Sequence, residues 1–170
     1  MQDALIIKTM FKCGLRVSEV INLKISWIDW GENIIRVQKN LKPLLWSPKQ
    51  SSERELPIVE DFALELKQFL GNRKSGYVFR SRKKSNNHRY NKESIIKKIN
   101  ELTKPIFGKT TGSHIFRKTY ASHLLNEHIP VGEIKKYLGH SDIKTTFIYL
   151  ESIPNRHTHE RVRNIPIMKK

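Results

Sequence analysis

The sequence contains very little cysteine, since Cys13 is the single cysteine among 170 residues. One thiol forms no disulfide within the chain, and we expect Cys13 to be a small core residue. The N-terminal residues also lack the charged, apolar and small-residue regions of a secretory signal peptide. These absences predict a protein of a reducing, cytoplasmic compartment.

Long apolar runs are absent as well. No stretch approaches the roughly 18 consecutive apolar residues of a membrane-spanning helix. No basic helix carries the broad Trp, Phe and Leu face that binds a membrane surface. A chain of 170 residues with 38% apolar and 9% aromatic residues still suffices to close one hydrophobic core. We therefore expect one globular unit with no membrane partner.

Acidic residues are scarce relative to basic ones. The chain has 16 Asp and Glu against 32 Lys and Arg, which gives a net charge of +16 at pH 7. An excess of this size indicates a polyanionic partner, and nucleic acid is the first candidate. Eight Lys or Arg lie between Arg80 and Lys98, against one acid, Glu93. Such a run is a solvated face in most proteins, but here it predicts salt-sensitive contacts to the DNA backbone. The residues expected to make these contacts are Arg80, Arg82, Lys83, Lys84, Arg89 and Lys92.

Apolar periodicity predicts helices at both ends of the chain and short strands between them. The predicted helices span residues 3–13, 17–23, 59–70, 92–103, 113–127, 131–138 and 141–150, the last capped by Ser141. The predicted strands span residues 33–37, 55–59 and 77–79, and a turn is expected at 30–33. The expected fold class is α+β, mainly α-helical with a small antiparallel β-sheet.

Five residues suggest phosphodiester chemistry by their order along the chain. His114 and Arg117 are three residues apart on one predicted helix and therefore face the same way. Arginine clamps a phosphate with two hydrogen bonds, while histidine passes a proton near neutral pH. Arg16 and His140 each lie at a corner between predicted helices, and Tyr149 follows His140 by nine residues. Each residue alone has an ordinary structural explanation, so only the combination indicates a site.

The combination resembles the tyrosine recombinase family, which includes lambda-type integrases and chromosome-dimer resolvases. GLRVSEVINL (14–23) is similar to the first arginine box of that family, and SPKQSSERELPI (47–58) resembles its lysine hairpin. SHIFRKTYASHLL (113–125) is similar to the His-x-x-Arg box, and YLGHSDIKTTFIYL (137–150) resembles the box that runs from histidine to tyrosine. The resemblance implies the catalytic-domain fold of these enzymes.

The resemblance also implies roles for individual residues. Arg16 and Arg117 would hold the non-bridging oxygens of the scissile phosphate, and His140 would donate a third hydrogen bond to it. Tyr149 would attack the phosphorus, forming a 3′-phosphotyrosyl link and releasing a 5′-hydroxyl. Because this link stores the phosphodiester energy, no ATP is expected.

Three further residues complete the implied site. Lys49, selected among nearby lysines by its spacing to Arg54 and Pro57, would protonate the leaving 5′-oxygen. His114 would assist proton transfer at the tyrosine, and Glu19 would support the arginines. Because the side chains themselves supply positive charge, no metal ion or other cofactor is expected.

The resemblance implies an organisation and partners too. Residues 1–153 would form the catalytic domain, and residues 154–170 a C-terminal tail that is either disordered or exchanged between subunits. The helical N-terminal core-binding domain of the family has no counterpart in this sequence, which suggests an excised piece or the product of a split or truncated gene. The expected partners are double-stranded DNA and further copies of the chain, as a tetramer on synapsed DNA and a monomer or dimer without it.

The predicted function is site-specific recombination of DNA in integration, excision or dimer resolution. The predicted location is the cytoplasm, either at the nucleoid or in the host cytoplasm of a virus. One alternative is nicking and closing of DNA in the manner of a type IB topoisomerase. The other is a non-catalytic helix-turn-helix protein, because residues 131–150 read as two helices around a glycine turn. That alternative assigns no role to Arg16 or Lys49. Whether Tyr149 acts in its own subunit or in a neighbour stays open.

Overall fold

The computed structural model describes residues 2–38, 53–81, 90–110 and 112–151. Its helices are α1 (Gln2–Cys13), α2 (Val17–Ile21), α3 (Glu60–Leu70), α4 (Lys92–Phe107), α5 (His114–Asn126), α6 (Val131–Leu138) and α7 (Ile143–Glu151). Its strands are β1 (Ile28–Asp29), β2 (Ile34–Val37) and β3 (Arg54–Pro57), preceded by a 3₁₀ helix at Ile25–Trp27. The strands form one antiparallel sheet in the order β1-β2-β3. The predicted α+β class is therefore confirmed.

The sheet has one buried face. Ile35 and Val37 of β2 are buried, and Ile35 pairs with the equally buried Leu56 of β3. Arg36 lies between them in sequence, points to the other face and forms ion pairs with Asp29 and Glu55. This alternation follows from the two-residue period of a strand. Because the second face of the sheet is polar, it can be exposed to solvent without another layer packed on it.

The apolar residues form two clusters. The larger joins α1, α2, the sheet, α3 and α4, and the smaller joins α5, α6 and α7 around Ala121, Ile134 and Leu138. The two meet where Tyr120 of α5 packs against Gly14, at the end of α1. A Cβ atom at Gly14 would lie 2.3 Å from the Tyr120 ring, and the residue has a φ of +60°. Only glycine satisfies both conditions, so this contact fixes how closely α5 approaches α1.

Three helix boundaries differ from the prediction by two residues or more, and the first is at α2, which ends at Ile21 rather than Leu23. Helix α4 continues past Thr103 to Phe107 and includes Pro105. A proline so near the helix end removes a single intrahelical hydrogen bond, and α4 then ends at the left-handed Gly108. Helix α7 begins at Ile143 rather than Ser141.

The predicted cap of α7 and the third predicted strand are both wrong. The Asp142 carboxylate, and not Ser141, accepts a hydrogen bond from the Lys144 backbone N–H at 2.9 Å. Residues 77–79 form no strand of the sheet; Tyr77 makes an isolated antiparallel bridge to Lys24 instead. A three-residue apolar segment carries too little pattern to distinguish a strand from a single bridge. Within the described ranges, no helix combines the length and apolar content needed to cross a membrane.

Candidate active site

The corner between α1 and α2 is built by Arg16 and Glu19. Arg16 has extended backbone geometry and precedes the first residue of α2. Glu19, in the first turn of that helix, accepts a hydrogen bond from the Arg16 backbone N–H at 2.7 Å and lies 3.4 Å from its guanidinium. The Glu19 side chain thus caps the first turn of α2 and fixes the position of Arg16 through contacts only three residues apart.

The Glu19 carboxylate is buried, with 1% of the residue exposed. Arg54 of β3 donates to both carboxylate oxygens, at 3.0 and 2.9 Å, and Nη1 of Arg117 lies 4.0 Å from one of them. Burial raises the pKa of Glu19, but hydrogen bonds and charge from Arg54, together with Arg117, outweigh it and leave the pKa below its ordinary value. Glu19 is therefore an anion that pairs with three arginines, Arg16, Arg54 and Arg117.

Arg54 belongs to the site, although its sequence position served only to identify Lys49 and assigned Arg54 no role of its own. Besides binding Glu19, it donates from Nε to the backbone carbonyl of Tyr137 at 2.8 Å. It thus connects β3 with α2 and with the end of α6. A signal existed in the sequence, because Arg54 falls on the same strand face as the inward-pointing Leu56. A charged residue on that face requires a buried partner of opposite charge.

Arg117 is also buried, with 1% of the residue exposed. Its guanidinium donates hydrogen bonds to the backbone carbonyls of Gly14 and Leu138. The first carbonyl follows α1 and the second belongs to the last residue of α6. Arg117 therefore holds three helices together at the point where Arg16 and Glu19 lie.

His114 lies beside these arginines. A cavity of about 330 Å³ is lined by Arg16, Lys92, His114 and Arg117, among others. Burial lowers the pKa of His114, and the positive charges of Arg117 and Arg16 lower it further. The imidazole is accordingly neutral at pH 7 and able to accept a proton.

His140 lies at the corner between α6 and α7. The corner requires Gly139, which has a φ of +61° and whose added Cβ would lie 2.9 Å from Nη1 of Arg54. Nδ1 of His140 is 2.9 Å from the Thr146 hydroxyl. Burial lowers the pKa of His140 to about 4, with further contributions from Arg117, Arg16 and Arg54. Its ring is therefore neutral at physiological pH.

The structure thus gathers Arg16, Glu19, His114, Arg117 and His140 from three parts of the chain. Tyr149 lies on α7, but its side chain falls outside what the structure describes. Lys49, Arg82, Lys83, Lys84 and Arg89 lie outside the described residues altogether. Of the remaining basic residues, Lys92 lines the cavity, whereas the Arg80 guanidinium donates to the Ser75 carbonyl at 2.8 Å.

Two other side chains with nucleophilic atoms, those of Cys13 and Tyr120, are in unsuitable places for catalysis. The Cys13 side chain is buried, and burial raises its pKa to about 12. Tyr120 is buried against Gly14, and burial raises its pKa as well. Neither group ionises readily at neutral pH. Among the described residues, no group of three or more His, Cys, Asp or Glu side chains is placed to hold a metal ion.

Comparison with known proteins gives one consistent result. The model of the phage integrase family matches residues 1–156. The chain is 25% identical over 171 residues to tyrosine recombinase XerA of Pyrococcus horikoshii, covering 99% of this chain and 56% of the relative. It is 31% identical over 153 residues to XerA of Thermococcus kodakarensis, covering 87% of this chain and 50% of the relative. The chain therefore spans about half the length of these curated relatives.

Solved structures show the same fold. The crystal structure of XerA recombinase superimposes with a TM-score of 0.69 at 25% identity, covering 94% of this chain and 61% of that one. The Tn1549 transposon integrase, in complex with transposon right end DNA, superimposes with a TM-score of 0.72 at 20% identity. That match covers 95% of this chain and 58% of the integrase.

Proposed function

Because the chain belongs to the phage integrase family of tyrosine recombinases, we propose that it cuts and rejoins DNA as a site-specific recombinase. The reaction passes through a 3′-phosphotyrosyl intermediate and serves integration, excision or dimer resolution. The observation that carries this proposal is the pair of arginines, Arg16 and Arg117, which share the carboxylate of Glu19 and line one cavity.

The arginines suit a phosphodiester that gains negative charge as it reacts. The single negative charge of Glu19 is surrounded by three positive charges, those of Arg16, Arg54 and Arg117. The cluster therefore keeps an excess of positive charge, which favours binding of an anion. Glu19 and Arg54 hold the donors in place before DNA arrives, which lowers the reorganisation needed in the transition state. Arg16 and Arg117 bind the non-bridging oxygens, and His140 donates a third hydrogen bond.

The proposed covalent step uses Tyr149, His114 and Lys49. The Tyr149 oxygen forms a bond to phosphorus while the bond from phosphorus to the 5′-oxygen breaks. His114, neutral at pH 7, accepts the tyrosine proton, and Lys49 gives a proton to the 5′-oxygen. The new phosphotyrosyl ester replaces the phosphodiester, so attack by a 5′-hydroxyl reverses the step without ATP or a metal ion.

Double-stranded DNA is the proposed partner. Solved structures of this fold include the Tn1549 integrase in complex with transposon right end DNA and the XerH recombinase bound to a palindromic difH substrate. We expect the basic residues between Arg80 and Lys98 to contact the DNA backbone. We expect residues 1–153 to form the catalytic domain and residues 154–170 to form a tail that is exchanged between subunits. The active assembly would be a tetramer on synapsed DNA, and its location would be the cytoplasm.

A covalent trapping experiment tests the proposal. The full chain is incubated in EDTA with a pool of nicked duplexes of randomised sequence, and denaturation-resistant adducts are recovered and sequenced. An adduct is expected for the wild-type chain and for Tyr120→Phe, which keeps the ring that packs on Gly14, and none for Tyr149→Phe. An undiminished adduct with Tyr149→Phe would refute the nucleophile assignment. A complete absence of adducts would instead favour a non-catalytic DNA-binding protein built on α6 and α7.

A further inference from the structure

Thr146 is a buried polar residue to which the proposed reaction assigns no role. It lies on α7, is 0% exposed, and its hydroxyl oxygen is 2.9 Å from Nδ1 of His140. His140 lies six residues earlier, in the corner that precedes the helix. The contact therefore joins a candidate phosphate ligand to the helix that carries Tyr149.

Thr146 differs from three other hydroxyl side chains on the helices, those of Thr9, Thr119 and Ser122. The hydroxyls of Thr9, Thr119 and Ser122 each donate to the backbone carbonyl four residues earlier. The Thr146 hydroxyl is directed at an imidazole nitrogen instead. Its partner is thus a side chain of the site and not its own helix.

The hydroxyl hydrogen determines the direction of this hydrogen bond. A buried hydroxyl hydrogen almost always has an acceptor, and in the described part of the chain the partner of the Thr146 hydroxyl is Nδ1 of His140. If Nδ1 carried the ring proton, it would donate to the oxygen, and the hydroxyl hydrogen would need a second acceptor. A hydroxyl that donates to an unprotonated Nδ1 satisfies both groups at once.

The tautomer matters because the ring is neutral. Burial lowers the pKa of His140 to about 4, and the positive charges of Arg117, Arg16 and Arg54 act in the same direction. A neutral imidazole has one N–H, and the hydrogen bond made by one nitrogen sets where the proton lies. An acceptor at Nδ1 therefore leaves the proton on Nε2.

We propose that Thr146 is a positioning residue that donates to Nδ1 of His140 and so keeps the imidazole proton on Nε2, the nitrogen that donates to the scissile phosphate. This inference rests on the proposed recombinase function. Thr146 lies three residues before Tyr149 on α7, less than one helical turn away. The same hydrogen bond therefore ties the phosphate donor to the helix of the nucleophile.

Nuclear magnetic resonance of the free, full chain tests the tautomer without DNA. The chain has seven histidines, and the signals lost in His140→Gln identify those of His140 in ¹⁵N-labelled protein. At pH 7 the Nε2–H form is expected in the wild-type chain and in Thr146→Ser, which keeps the hydroxyl. Thr146→Val matches threonine in shape but donates nothing, and a mixture of both tautomers is expected. A wild-type Nδ1–H form, or an unchanged tautomer in Thr146→Val, overturns the proposal.

Cleavage supplies the second measurement, on a DNA sequence recovered by covalent trapping. Thr146→Val is expected to form the adduct about tenfold more slowly than wild type at saturating DNA, with Thr146→Ser within about twofold of wild type. The midpoint of thermal unfolding confirms that both variants are folded. A Thr146→Val chain that cleaves at the wild-type rate contradicts the proposal. If no chain cleaves DNA, the recombinase function fails, while the tautomer measurement still decides the role of Thr146.

Discussion

Glu19 and Arg54 lie 35 positions apart in the sequence, yet two parallel hydrogen bonds of 3.0 and 2.9 Å join their buried side chains. The same carboxylate accepts from the Arg16 backbone and lies 4.0 Å from Arg117. Glu19 is thus the common partner of three arginines. Two of them, Arg16 and Arg117, line the cavity in which we place the scissile phosphate.

Removing the charge of Glu19 should destabilise the fold. In Glu19→Gln, Arg54 and Arg117 stay buried without their anion, and we expect a loss of about 3–5 kcal/mol in the free energy of unfolding. Urea denaturation measures it. The matched control is Glu65→Gln, because Glu65 pairs with Lys8 on the surface. This substitution should lower the free energy of unfolding by less than about 1 kcal/mol. Equally small losses of unfolding free energy in both variants would contradict the prediction that Glu19 stabilises the buried arginines.

The free energy of unfolding should fall as the pH drops below the pKa that histidine has in the unfolded chain. The pKa of His140 is about 4 in the folded chain against an ordinary value of 6.5, so the unfolded state binds the proton first. The contribution is complete above pH 6.5 and is lost as the pH falls from 6.5 to 4, by at most about 3 kcal/mol. His114, whose pKa is also lowered, acts in the same direction.

Urea unfolding at several pH values between 4 and 7 measures this dependence. His140→Gln should flatten the curve in that interval relative to wild type. The prediction fails if the His140→Gln curve keeps the wild-type slope.

Arg117→Lys should abolish most of the cleavage activity. The guanidinium of Arg117 reaches the carbonyls of Gly14 and Leu138 together, and a single ammonium group cannot reproduce that fork. We expect adduct formation to slow by about 10²–10³-fold, the usual effect of removing one donor to a transition-state oxygen. Arg36→Lys on the exposed face of the sheet is the control and should cleave normally. Comparable rates for the two variants would remove Arg117 from the mechanism.

Gly139→Ala should be harmful although it adds only one methyl group. That group would lie 2.9 Å from the Arg54 guanidinium, on a residue with a φ of +61°. We expect a loss of about 1–3 kcal/mol in the free energy of unfolding. Gly132→Ala within α6 has open space around the added atom and should be neutral or stabilising by up to about 1 kcal/mol. Equal unfolding midpoints for the two variants would show that the corner tolerates a side chain.

Most of the helices were predictable because their signals are local. The bounds of α6 were predicted as Val131–Leu138, and those of α1 and α3 within one residue. Glycines that end helices and apolar residues repeated every three or four positions suffice for this. Helix α2 ends two residues before the predicted Leu23. The other errors fell on Tyr77, Ser141 and Thr103, where a short apolar segment, a choice between two adjacent caps and a late proline left the local pattern ambiguous.

The sequence by itself determined the contacts that span a few residues. The cap between Arg16 and Glu19 and the shared face of His114 and Arg117 follow from three-residue spacing on a helix. Only the tertiary structure showed that Arg54 forms hydrogen bonds with Glu19, and that burial among arginines keeps His140 neutral. Spacing and caps act within about one helical turn, whereas burial and the fields of distant charges exist only after the elements have packed.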